Sequence, residues 1–202
     1  MSNVKREGTA FIVVDAQNFI LDEKGLVADW GVWKRAKETK MVENTKKAIG
    51  KARGTRIPII YIRMEIRPQV LPAIGFWKHI KEIDFTKISP SEGEFQLGIV
   101  KELAPYPEDY IVTKYNTMDS FHNTDLEQIL KCLKCDTLIF AGVVTNFCLE
   151  TTVRSAFNRG YNTIVLSDCV ATMNEEFQEF AIKVIFPMLG VVTTADELEV
   201  SA

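Results

Sequence analysis

The stretch AGVVTNFCLETTVRSAF, Ala141 to Phe157, decides how the rest of this 202-residue chain is read. It opens out of an apolar run, Thr137-Leu138-Ile139-Phe140-Ala141, which predicts a buried strand closed by Gly142. A helix follows, with Thr145 or Asn146 available as its cap and apolar residues at Leu149, Val153, Ala156 and Phe157. Cys148 falls in the first turn of that helix. Unpaired backbone N–H groups there favour an anion. A thiol in such a place is expected below the ordinary value of about 8.5, toward neutrality. The competing reading is that Cys148 is one more small buried hydrophobe, as free cysteines often are.

Outward from this stretch, strand and helix patterns alternate along the whole chain. Thr9 to Val14 is a short apolar run ending in Asp15, of the kind found in strands covered on both faces. Trp33 to Arg53 has helical spacing, with Gly54 as its stop. Ile57 to Arg63 predicts a second strand, with Pro58 near its start. Met64 to Pro90 shows no sustained period; it holds three prolines with Phe76, Trp77 and Phe85, and is expected to be a long excursion carrying a short helix. Ser91-Glu92-Gly93-Glu94 resembles a capping box opening a helix to Leu103, and Tyr110 to Thr113 predicts a third strand followed by Lys114. Thr124-Asp125-Leu126-Glu127 is a second candidate box, for a helix to Leu133. Asn162 to Leu166 predicts a fifth strand ending in Ser167-Asp168. Asn174 is placed to cap a helix to Met188, and Val191-Val192 a sixth strand. The expected fold is α/β: a three-layer α/β/α arrangement around a six-stranded parallel sheet, in one domain spanning residues 1–202.

In such sheets the working residues gather at the carboxyl ends of the strands. That rule selects Asp15, Arg63, Lys114, Cys148 and Asp168. An acid, an amine and a thiol at one buried rim are costly unless paired or employed.

Composition narrows the functional classes. Hydrophobic residues make up 47% and charged residues 25% of the chain, and the formal charge is −3. Without a basic excess, a nucleic-acid partner is not expected. No segment reaches the length of a membrane span and the amino terminus lacks an h-region, so a cytoplasmic protein without a membrane partner is expected. Four cysteines without regular spacing point to a reducing compartment. Cys132 and Cys135 form a C-x-x-C with no second pair, read as packing, and Cys169 is read as buried.

Three motifs carry a resemblance to the isochorismatase-like cysteine hydrolases, which include nicotinamidases, N-carbamoylsarcosine amidohydrolases and ureidoacrylate hydrolases. They are FIVVDAQN (Phe11 to Asn18), Tyr110 to Lys114 with Ser120-Phe121 and Thr124-Asp125-Leu126, and Gly142 to Arg154. The resemblance implies an amidohydrolase of small amides, ureides or carbamoyl compounds, with a catalytic set of Asp15, Lys114 and Cys148. It also implies an oxyanion hole at the N–H groups of Val144 and Cys148, and a cis peptide at Val143–Val144. The substrate is then a small molecule, and relatives assemble as dimers or tetramers. Asn18, Phe19, Arg63, Trp77 and Tyr115 are candidate substrate-binding residues; pairing with a neighbouring acid is the equal alternative for Arg63, a subunit contact or a core cap for Trp77, and the resemblance favours a structural hydrogen bond for Asp168. The metal-binding Asp-x-His of nicotinamidases is replaced by Arg63-Met64-Glu65, and the histidines are only His79 and His122, so no metal or other cofactor is expected. Nicotinamidase-type hydrolysis is the alternative within the family. The alternative outside hydrolysis keeps the fold and uses Cys148 as a redox-sensing thiol or the chain as a binding module.

Overall fold

The structure, a computed structural model, describes residues 2–71, 75–84 and 87–201. Phe85 and Pro72 of the expected excursion lie outside the described residues, as does the side chain of His79.

Eight strands and the helices between them run in chain order as β1 (Ser2–Lys5), β2 (Thr9–Val14), α1 (Asn18–Leu21), α2 (Val32–Glu38), α3 (Met41–Gly54) and β3 (Ile59–Glu65) among the described residues. Next come α4 (Phe76–Lys81), α5 (Pro90–Leu97), β4 (Tyr110–Tyr115), α6 (Leu126–Cys132) and β5 (Thr137–Val143). The chain then forms α7 (Glu150–Asn158), β6 (Asn162–Ala171), α8 (Glu175–Phe180), α9 (Phe186–Leu189), β7 (Val191–Thr193) and β8 (Leu198–Ser201). The main sheet is six-stranded and parallel, in the order β4-β3-β2-β5-β6-β7. Its direction of winding reverses between β2 and β5, where a crevice opens at the carboxyl ends.

Alternation along β2 explains the layers. Ala10, Ile12 and Val14 pack on one face with Leu126 and Leu130 of α6, Val153 and Ala156 of α7, and Phe186 of α9. Phe11 and Val13 pack on the other face with Ala48, Ile49 and Ala52 of α3. Strand side chains point to opposite faces with period two, so a run that is apolar at every position requires helices on both sides.

Several elements differ from expectation. The helix predicted over Trp33 to Arg53 breaks at Thr39-Lys40, where Lys40 takes a φ of 55°. The capping box sits two residues earlier than predicted: Ser89 accepts from the Glu92 N–H, Glu92 accepts from the Ser89 N–H, and the helix ends at Leu97. At Thr124, the hydroxyl accepts from Leu126 N–H instead of forming a box, and Asp125 occupies the cap position. β6 runs on to Ala171 through an irregular register between Phe140 and Gly142 of its neighbour. The parallel pair β1–β8 has no counterpart in the sequence pattern, because four-residue strands bearing charged residues leave little periodic signal. Among the described residues, no helix is long and apolar enough to cross a membrane.

Candidate active site

β2, β4 and β5 each deliver one polar side chain to a single buried point. At the end of β2, Asp15 adopts a φ of 48°, a left-handed conformation tolerated by aspartate, and the chain turns sharply as the Gln17 N–H donates to Asp15 O at 2.7 Å. At the end of β4, Lys114 points inward, with none of its surface exposed. Its ammonium lies 2.8 Å from Asp15 Oδ2 and donates to Met118 O at 3.1 Å. Cys148, 4% exposed, hangs from a wide helical turn over Thr145–Leu149 that precedes α7. Its thiol lies close enough to Asp15 and Lys114 for both to act on its ionisation.

The turn that holds Cys148 depends on two local features. Gly142 has a φ of 119°, and a Cβ there would stand 2.0 Å from Val14 O, so only glycine lets β5 pass β2 at this point. The Val143–Val144 peptide is cis. Thr145 and Asn146, expected as caps, do not cap the helix. The Thr145 hydroxyl donates to Gln178 Oε1 at 2.8 Å, and Asn146 Oδ1 accepts from Thr172, so both side chains anchor the turn to α8 and the end of β6.

Electrostatics here run against the expected low thiol pKa. Burial pushes Cys148 up to about 12; Lys114 lowers it and Asp15 raises it further. Asp15 is also raised, by burial first, against the pull of Lys114. Lys114 is held above its ordinary value by Asp15 and Cys148, which outweigh its own desolvation. At rest the thiol is therefore protonated and Lys114 keeps its charge, while burial makes Asp15 a readier proton acceptor than an exposed aspartate. The position at a helix start does not dominate because the thiol is out of water and next to an anion.

Against Asp15 and Cys148 lies a void of about 20 Å³, bordered also by Phe19, Ile20, Trp30, Phe76, Val144 and Phe147. The two residues proposed for an oxyanion hole, Val144 and Cys148, both border it. Of the candidate substrate-binding residues, Phe19 is on this wall. Asn18 is not: its amide donates to Phe95 O at 2.8 Å and clasps α5. Arg63 faces the opposite side of β3, bonded to Glu65 Oε1 at 2.7 Å and to Thr113. Tyr115 shares that opposite face and carries the Arg67 guanidinium 3.6 Å above its ring. Strand alternation places both away from the thiol, because Met64 and Lys114 take the inward positions. Trp77 packs into the core, edge-on to Phe76 at 5.0 Å, and Phe76 takes the wall position.

Asp168 has a structural hydrogen bond: it accepts from the Ala195 N–H at 2.8 Å and secures the chain after β7. His122 is exposed beside Asn123. Cys132, Cys135 and Cys169 are free thiols, with Cys169 buried. At the end of β3, Arg63 pairs with Glu65, and no three His, Cys, Asp or Glu side chains converge among the described residues.

Two positioning groups carry no chemical signature in the sequence. Gln17, fully buried, accepts from Met64 N–H at 2.7 Å and donates to Met64 O and Leu97 O, so one amide pins both ends of the excursion between β3 and α5. Thr152 donates to Cys148 O at 2.7 Å and bonds Ser120 at 2.8 Å, tying the turn of the thiol to the loop whose Met118 carbonyl holds Lys114. Both residues stand inside the quoted motifs, and only their burial distinguishes them.

A parallel α/β sheet with an acid, an amine and a thiol converging at its switch point defines a class of cysteine-hydrolase-like proteins. The isochorismatase domain family matches residues 9–197, and the chain belongs to that family. It is 29% identical over 184 residues to the ureidoacrylate amidohydrolase RutB of Yersinia enterocolitica, covering 86% of this chain and 79% of that protein. RutB of Pseudomonas syringae pv. syringae is 28% identical over 201 residues, 94% of this chain and 81% of the relative. Among solved structures, a cysteine hydrolase from Pseudomonas syringae pv. phaseolicola superposes with a TM-score of 0.80 at 28% identity, covering 98% of this chain and 93% of that one. N-carbamoylsarcosine amidase from Thermoplasma acidophilum gives 0.72 at 25% identity, with 95% and 98% covered.

Proposed function

We propose that this protein is an amidohydrolase in which Cys148 forms a covalent acyl intermediate with a small amide, ureide or carbamoyl compound. The family and the amidohydrolase relatives make the chain a hydrolase of carbon–nitrogen bonds other than peptide bonds. The observation that carries the finer reading is the burial of Asp15, Lys114 and Cys148 against one another, with Lys114 Nζ 2.8 Å from Asp15.

In this reading Asp15 takes the thiol proton as the sulfur attacks the carbonyl carbon. The carbonyl oxygen becomes an oxyanion facing the backbone N–H groups of Val144 and Cys148. Collapse of the adduct breaks the C–N bond, and Asp15 returns its proton to the departing nitrogen. Water then attacks the thioester or thiocarbamate, again giving a proton to Asp15, and the acid leaves as the thiol is restored. Lys114 keeps its proton throughout and stabilises whichever neighbour is negative.

Burial and a thiol held protonated weigh against a redox sensor, since oxidation follows thiolate character and exposure. Cys148→Ala is expected to abolish ammonia release from a panel of small amides, ureides and carbamoyl compounds. Wild-type protein quenched during turnover is expected to show the acyl mass increment on Cys148. Ammonia release that survives the substitution would refute the nucleophile assignment.

A further inference from the structure

Beside the void at Cys148 lies a second, much larger cavity of about 300 Å³, in the range of small-molecule sites. Phe19, Met64 and Phe76 border both spaces, so the two adjoin at these side chains. The far side of the larger chamber is built by the excursion, with Ile80 and Ile83 from α4 and its following turn, and Leu97 from α5. Its two polar side chains are already committed. Ser89 is engaged in the capping box with Glu92. Gln96 accepts from Leu26 N–H at 2.9 Å and donates to Lys24 O at 3.0 Å. Among the described residues, no Lys, Arg or His side chain lines either space, and the one charged group bordering the void is Asp15.

An anionic substituent entering the chamber would lose its hydration and, among the described residues, find no cation on its wall, Lys114 being already paired with Asp15. An uncharged alkyl or aryl group would exchange water for isoleucine, leucine and phenylalanine side chains. The void itself has room for little more than the reacting atoms, so the remainder of a substrate has to lie elsewhere. We propose that the chamber is the subsite for the substrate's substituent, and that the enzyme prefers neutral amides or carbamoyl compounds bearing an apolar group of about four to six carbons. This rests on the amidohydrolase reading for its chemistry, but the binding preference is independent of turnover. The amide passes between Phe19, Met64 and Phe76 to reach Cys148, while the alkyl or aryl tail stays behind in the chamber.

A homologous series tests this. From acetamide to hexanamide, kcat/KM is expected to rise roughly three- to four-fold for each of the four added CH2 groups, on the order of a hundred-fold across the series. Succinamate, which places a carboxylate where 4-methylpentanamide has two methyl groups, is expected to fall at least about ten-fold below it. Gly93 lines the chamber, and a Cβ there would meet open space. Gly93→Leu is therefore expected to fold, and to cut the hexanamide-to-acetamide ratio by about ten-fold by occupying the room of the distal methylenes. The same series titrated calorimetrically against Cys148→Ala protein reads binding without turnover. An affinity that does not increase with chain length, or a preference for succinamate, would overturn the subsite. If no amide is hydrolysed by wild-type protein, the amidohydrolase reading falls while the binding series still decides the chamber.

Discussion

At the residue scale, the buried trio sets the pH response. With Asp15 raised by burial, its carboxylate gains a proton earlier on acidification than an exposed aspartate would, whose ordinary value is 3.8. A protonated Asp15 has no site for the thiol proton, so kcat/KM is expected to fall on the acid side along a limb lying above the ordinary carboxylate range. With Cys148 near 12, no alkaline gain should occur near 8.5, where a free thiol would ionise. A pH profile with its acid limb at or below 4, or with a rise through 8.5, would contradict this protonation scheme. The three members of the trio were legible in the sequence because each ends or follows an apolar run at one rim. The ionisation of Cys148 was not, because position at a helix start says nothing of the neighbouring anion or of exclusion from water.

At the scale of elements, the excursion between β3 and β4 is held by Gln17 more than by its own helices. α4 and α5 are short, and isolated helices of such length are marginal in water. Replacing Gln17 by Leu leaves the Met64 N–H and the Met64 and Leu97 carbonyls without their side-chain partner. A loss of about 1–3 kcal/mol for a buried group left unsatisfied is expected in urea unfolding. The same variant should show faster amide hydrogen exchange in residues 64–97 than in β2 or β5. Equal exchange in both regions would show that the excursion is held by something else. This segment was the least readable in sequence. Its prolines and aromatics have no period, and its order comes from contacts with residues some fifty and eighty positions away, at Gln17. Helix boundaries were also set non-locally: Lys40 turns left-handed between α2 and α3 although the apolar spacing continues through it. Where strands are apolar at every position, as in β2 and β5, pattern alone located them, since nothing but a doubly covered sheet satisfies such a run.

At the scale of the whole molecule, the layers around β2 and β5 and the excursion above them close the trio off from solvent. Moving a proton from Cys148 to Asp15 leaves the summed charge of the three groups at zero, before and after the step. Mobile ions screen exposed charges over about 10 Å at 0.1 M ionic strength and reach buried pairs far less. For a neutral substrate as small as acetamide, kcat/KM is therefore expected to vary by less than about two-fold between roughly 0.05 and 0.5 M sodium chloride. A steep dependence in stopped assays would mean that the trio exchanges charge with bulk water during turnover. A lysine with no exposed surface beside an acid thus makes the chemistry indifferent to the ionic composition of the medium.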